Sequence, residues 1–183
     1  MSRPRTINLS RRAVFVWIAS SVASGRAIVS AAPRSAQTVA VFDFELIDSS
    51  LEGEMKGSRA DEQARLAGLG DQLRHRLLQS DQFKLVDIAS IADEARASNL
   101  HACNGCDTRL AKSLGAELAV TGTVQKVSNL ILNMNIYVRD VSSGDTIAAM
   151  SADMRGNTDE SWSRTLDWLI RNRLLAPGFG VPR

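Results

Sequence analysis

The chain has 183 residues, with 22 Lys and Arg against 20 Asp and Glu and a formal net charge of +2. Five arginines (Arg3, Arg5, Arg11, Arg12 and Arg26) lie in the first 31 residues, and without that segment the net charge is −3. No basic stripe then remains to neutralise phosphates, which excludes nucleic-acid binding, and about 150 residues are left, enough for one domain with a real core.

Residues 1–31 read as an export signal peptide. A basic start leads into Ala13–Ala23, an apolar run broken only by Ser20 and Ser21, and Val29-Ser30-Ala31 fits the small-residue cleavage pattern. The run is too short to span a bilayer, which takes about 20 residues. Ser10-Arg11-Arg12-Ala13-Val14-Phe15 partly matches the twin-arginine pattern, so two routes stay open, that one and ordinary secretion. No cysteine lies near the cleavage region, so a lipoprotein anchor is not expected. The expected location is the periplasm, where disulfides persist, with no membrane span once the signal is removed. A short linker (32–37), one domain (38–177) and a tail (178–183) follow.

Thr38–Leu46, rich in β-branched and aromatic residues, reads as a buried strand. Ser49–Ser58, with Gly53, Gly57, Glu52 and Glu54, reads as a polar loop. From Ala60 to Ser80, Leu66, Leu69, Leu73 and Leu77 recur at helical spacing and form an amphipathic stripe. Gly68 and Gly70 weaken that helix by about 1 kcal/mol each relative to alanine and are expected where it approaches the sheet closely. Phe83–Ile88 reads as a second strand and Ile91–Ala97 as a short helix. A cysteine loop precedes a helix over Thr108–Leu114, closed by Gly115.

Three antiparallel strands come next, with one buried face and one wet face. Leu118, Val120 and Val124 alternate with polar neighbours, and Leu130, Leu132, Met134, Ile136 and Val138 do so against Asn133, Asn135 and Arg139. Ser142-Ser143-Gly144 makes the hairpin, and Ala148, Met150, Ala152 and Met154 share one face of the last strand. A final helix is expected to be capped by Asn157 with Glu160 three residues on, to pack through Trp162, Leu166, Leu169 and Ile170, and to end at Pro177-Gly178. The fold class is therefore α/β (α+β): a single mixed sheet in the order β-α-β-α-β-β-β-α, with helices on one or both faces.

The chemistry in this chain centres on His101-Ala102-Cys103-Asn104-Gly105-Cys106-Asp107. Cys103 and Cys106 suit a local disulfide, redox exchange beside a helix start, or, with His101 as a third ligand, a soft metal site. Asp107 in place of histidine argues against haem attachment. Asp43 and Glu45, two apart on the first strand, form a candidate acidic site where open α/β sheets bind ligands. Asn133, Asn135, Tyr137, Arg139 and Trp168 form a candidate partner surface. No nucleotide, nucleophile-elbow or cofactor motif is found, and no cofactor is expected.

Val39-Ala40-Val41-Phe42-Asp43-Phe44, Leu114-Gly115-Ala116-Glu117 before Val120-Thr121-Gly122, and Arg139–Asp145 resemble segments of periplasmic accessory proteins. These are the amino-terminal domain of TolB, CsgG and the lipoprotein activators of penicillin-binding proteins. Val124–Asn133 and Arg155–Trp162 resemble an exported bacterial family of unknown function. The resemblance implies a small periplasmic α/β domain and no activity. The expected function is a non-enzymatic accessory or binding module with an unknown periplasmic protein partner. The alternative is a thiol-redox or metal-handling protein using Cys103 and Cys106.

Overall fold

The computed structural model describes residues 36–180; the expected signal peptide, most of the linker and the last three residues lie outside the described residues. Five strands form one mixed sheet in the order β2-β1-β3-β4-β5. They are β1 (Gln37–Asp48), β2 (Phe83–Leu85), β3 (Leu118–Ser128), β4 (Ile131–Asp140) and β5 (Thr146–Met154). β1 runs parallel to β2 and β3, while β3, β4 and β5 are antiparallel. This is the mixed α/β sheet that the strand and helix patterns imply.

Two cores flank the sheet. The larger one lies under α2 (Ala60–Leu78) and α5 (Asp159–Leu169), where Leu66, Leu69, Leu73 and Leu77 meet Val120, Val124, Met134, Ile136 and Trp162. The smaller one lies on the opposite face, under α3 (Ala92–Ala97) and α4 (Cys106–Ser113), and holds Phe42, Ala95, Leu110 and Ala119. It covers β1 and β3 only. The outward residues of β5 on that face, such as Ser151 and Asp153, stay exposed, while those of β4 from Asn133 to Arg139 are half-buried or, at Asn135, buried.

β2, expected over Phe83–Ile88, stops at Leu85, and the local chemistry departs from the sequence expectations at three further places. Ser49–Ser58 is not all loop: α1 (Leu51–Lys56) starts at Ser50, whose hydroxyl accepts from the Gly53 amide at 3.1 Å, with Glu52 and Glu54 in its first turn. It buries no side chain, so it leaves no apolar period to read. The final helix is capped by Thr158, which accepts from Ser161 N at 3.2 Å, and not by Asn157. Asn157 is drawn instead to Glu62, donating to Oε1 at 2.6 Å. Of the two glycines in α2, only Gly70 marks a close approach: a Cβ there would lie 2.7 Å from Asp43 Oδ1, whereas Gly68 faces open space.

Candidate functional site

Two regions collect the polar chemistry. In the first, Glu45 on β1 holds the cysteine loop against the sheet. Its Oε1 accepts from Leu100 N at 2.7 Å, and its Oε2 from His101 N at 2.9 Å with His101 Nδ1 at 3.0 Å. The loop turns at Asn104 (φ 52°) and Gly105 (φ 97°), and Cys103 and Cys106 are joined as a disulfide with Cα atoms 5.7 Å apart. Cys103 is half-buried, whereas Cys106 is buried at the start of α4 among Phe42, Ala95 and Leu110. His101 therefore faces Glu45 while the two sulfurs face each other. Among the described residues no group of three or more His, Cys, Asp or Glu is placed to hold a metal ion.

Asp43 and Glu45 both line one cavity, yet each serves a separate partner. Asp43 pairs with Arg74 at 2.9 Å and lies 3.8 Å from Arg96. The β4 residues are likewise engaged internally. Asn135 is buried and donates to Thr123 Oγ1 at 3.4 Å, and Asn133 donates to Asp153 at 2.9 Å. Arg139 bridges Asp107 (2.8 Å) and the Gly144 carbonyl (2.6 Å). Tyr137 is half-buried on the same face. Trp168, 46% exposed, sits on α5 across the sheet from all four and shares no surface with them.

The second region went unseen in the sequence. Lys126 of β3 is fully buried beside Glu62 of α2, also fully buried, with Nζ 2.7 Å from Oε1. The same ammonium lies 3.2 Å from Asp48 and 3.5 Å from Glu52. Asp48 also accepts from the Ser50 amide and hydroxyl, and Glu62 from Arg59 N at 3.3 Å. Asn129 joins Glu52 (2.9 Å) to Asn157 (3.0 Å), and Arg65 joins Asn157 (3.1 Å) to Asp61 (2.9 Å) and Asp159 (2.5 Å) while lying 5.7 Å over the Trp162 ring. One network thus ties the end of β1, α1, the start of α2, the β3–β4 turn and the start of α5.

A signal for it was present. Lys126 continues the inward series Val120, Gly122, Val124, and Glu62 continues the stripe Leu66, Leu69, Leu73 backwards by one turn. A charged residue at each of two inward positions of opposite sign is the mark of a buried pair.

Beside this network five apolar side chains stand exposed. Leu51 and Met55 of α1 are 70% and 74% exposed, and Val127, Leu130 and Ile131 at the β3–β4 turn are 59%, 74% and 60% exposed. The Asn129–Glu52 hydrogen bond and the Ser49 N to Lys126 O bond (2.9 Å) hold these two elements side by side. Among the described residues no helix is long and apolar enough to cross a membrane.

A family model described as "Protein of unknown function (DUF2380)" matches residues 37–174. No curated protein matches. Among solved structures, the LpoB C-terminal domain from Salmonella enterica is similar at 16% identity, with 66% of this chain and 84% of that one covered and a TM-score of 0.45. Lipoprotein GNA1162 from Neisseria meningitidis is similar at 15% identity over 73% and 91%, with a TM-score of 0.48. TolB from Acinetobacter baumannii is similar at 15% identity over 84% and 31%, with a TM-score of 0.44.

Proposed function

Since the chain belongs to that family of unknown function, we propose its role from its own surface: a non-enzymatic accessory module, exported to the periplasm, that works by binding another protein. The observation that carries this reading is the exposed apolar end formed by Leu51, Met55, Val127, Leu130 and Ile131. Single exposed apolar side chains such as Leu78 or Ile147 are ordinary, but five gathered on two braced elements mark an interaction site. The buried network beneath them fixes their spacing, so docking costs little ordering entropy. The carboxylates a catalyst would need, Asp43, Glu45, Asp48, Glu62 and Asp107, all hold internal donors. The leader-like residues 1–31 and the disulfide support export.

The test places a photo-reactive amino acid at Leu130, at Met55 or, as a control, at Ile147, in cells of the native host. A discrete heavier adduct in the envelope fraction is expected from the first two positions and not from Ile147. No adduct from either, a cytoplasmic protein, or turnover in a broad hydrolase panel would sink the proposal.

A second reading, thiol exchange, draws on Cys103 being half-buried beside a helix start. The cysteine at the helix start is Cys106, however, and it is buried, out of reach of a partner thiol. We infer that the pair is a staple. Its four-residue loop limits the stabilisation to at most about 2 kcal/mol. Cys103→Ser/Cys106→Ser is expected to lower thermal stability by about that amount without unfolding the domain. In glutathione buffers the native pair should stay oxidised down to roughly −300 mV. A potential in the range of the thiol oxidoreductases, roughly −120 to −270 mV, would restore the redox reading.

A further inference from the structure

β1 is an inner strand at its start and an edge at its end. β2 pairs with it only over Gln37–Val39; Val86 then donates to the Val39 carbonyl at 2.9 Å and the chain leaves for a 3-10 turn at Ala89–Ile91. A bulge between Val41 and Phe44 bends β1, and Arg74 takes the Val41 carbonyl at 3.2 Å. From Asp43 to Asp48 the side of β1 away from β3 meets no strand among the described residues. A cavity of about 670 Å³ runs along this stretch, with Leu66 and Ala67 of α2 on one wall, Ile88, Ala92 and Ala95 on the other, and Leu46 between them.

An open strand edge is a template for another strand, and proteins commonly blunt such edges with charges lying across them. The three carboxylates of this stretch do not do so. Asp43 turns to Arg74, Glu45 to the Leu100 and His101 amides, and Asp48 to Ser50 and Lys126. We propose that this groove receives an extended segment of a partner protein as an added strand on β1, its alternate apolar side chains seated between α2 and α3. Backbone hydrogen bonds supply the affinity and the apolar walls select the side chains. At about 3.3 Å per residue, the six positions from Asp43 to Asp48 offer roughly 20 Å of edge, room for five or six residues. Asp43 is matched by Arg74 and Arg96 and Asp48 by Lys126, which leaves Glu45, with no Lys or Arg partner among the described residues, as the unmatched charge of the groove. The segment that fits therefore carries Lys or Arg, not Asp or Glu, between its apolar positions.

This inference rests on the reading of the protein as a binding module but uses a different surface from the apolar end. The test offers a phage-displayed library of random dodecapeptides to the protein as exported and processed, with Ala67→Trp as a second bait. Ala67 is exposed on α2, so the indole fills the groove without entering the core. Enriched peptides are expected to alternate apolar and basic residues, and a synthetic copy should slow amide exchange over residues 43–48. Ala67→Trp, or N-methylation of alternate peptide amides, should weaken that copy about tenfold, the equivalent of one or two lost hydrogen bonds. No enriched sequence, or binding indifferent to N-methylation, would overturn the groove. So would edge protection that needs only high protein concentration, which means a second copy pairs there. Protection confined to residues 127–131 would also remove it while leaving the apolar end as the binding surface. Protection of 43–48 without a Leu130 adduct would do the reverse.

Discussion

Lys126→Met should cost the domain about 3–5 kcal/mol, a fall of roughly 10–20 °C in the midpoint of thermal unfolding. Methionine fills most of the volume, so the loss is electrostatic: Glu62, with no exposed surface, and Asp48 lose the ammonium that both approach. The companion Lys126→Met/Glu62→Leu removes both signs and should regain much of the loss, because a well-packed apolar pair costs little relative to a buried ion pair. Equal stability of the single and double variants, read by calorimetry, would show that Glu62 is not the group left stranded.

The same pair shapes the response to pH. Burial disfavours the Lys126 ammonium, but its hydrogen bonds to Glu62 and Asp48 outweigh that and hold it above its ordinary 10.5. Its contribution is whole below about pH 10.5 and drains away as pH rises through the raised native value. Burial likewise pushes the Asp48 carboxyl up, and hydrogen bonds from Ser50 and then Lys126 overcome it and hold the group below 3.8. That contribution is whole above about pH 4 and is lost as pH falls through the native value. Lys126→Met should therefore flatten the alkaline limb of a stability profile and weaken the acid one.

Gly122→Val should cost about 3 kcal/mol by overpacking. Gly122 of β3 stands opposite Phe44 of β1, and the Phe44 ring lies across the missing side chain. A Cβ there would fall 2.6 Å from the ring Cζ and closer still to Cε1 and Cδ1. Phe44 is 4% exposed and belongs to the larger core, so the ring can move aside only toward the groove beside β1, giving up core contacts. Phe44→Leu alone opens a void; combined with Gly122→Val it should recover part of the loss. Additive losses in that pair of variants, measured by urea unfolding, would mean that the ring and the glycine do not share space.

What could be read in advance follows from periodicity. The stripe of α2, the alternation of β4 and β5, and the face of α5 from Trp162 to Ile170 are repeated signals, and each repeat reinforces the last. The short or singular features were hard to read for physical reasons. Asparagine is the stronger helix cap of the two, but Asn157 is held by Glu62, from a helix 95 residues away, and by Asn129, and Thr158 becomes the cap. Lys126 and Glu62 each stand at an inward position of their own pattern, but nothing local in the chain pairs them until the fold brings them to 2.7 Å. Val124–Asn133 and Arg155–Trp162, set apart earlier for their resemblance to an exported family, meet in this network through Lys126, Asn129, Asn157 and Asp159. The open stretch of β1 could not be foreseen, because it depends on where β2 stops, and Val86-Asp87-Ile88 is as strand-like in composition as Phe83-Lys84-Leu85.

The parallel pairing of β1 with β3 also sets a schedule. Thr38 finds its partner in Glu117, 79 residues later in the chain. At ribosomal speeds of about 5–20 residues per second, β1 waits roughly 4–16 seconds after its own synthesis before the strand that will bury it exists. During that interval Val-Ala-Val-Phe-Asp-Phe is a β-prone, nearly uncharged segment with its β3 side unpaired, the kind that seeds aggregation. The hairpins β3–β4 and β4–β5 need no such delay, since their contacts are local. Within the sheet β1 is thus made before either neighbour, and until the central strand β3 arrives only α2 and the short β2 can cover residues 38–46.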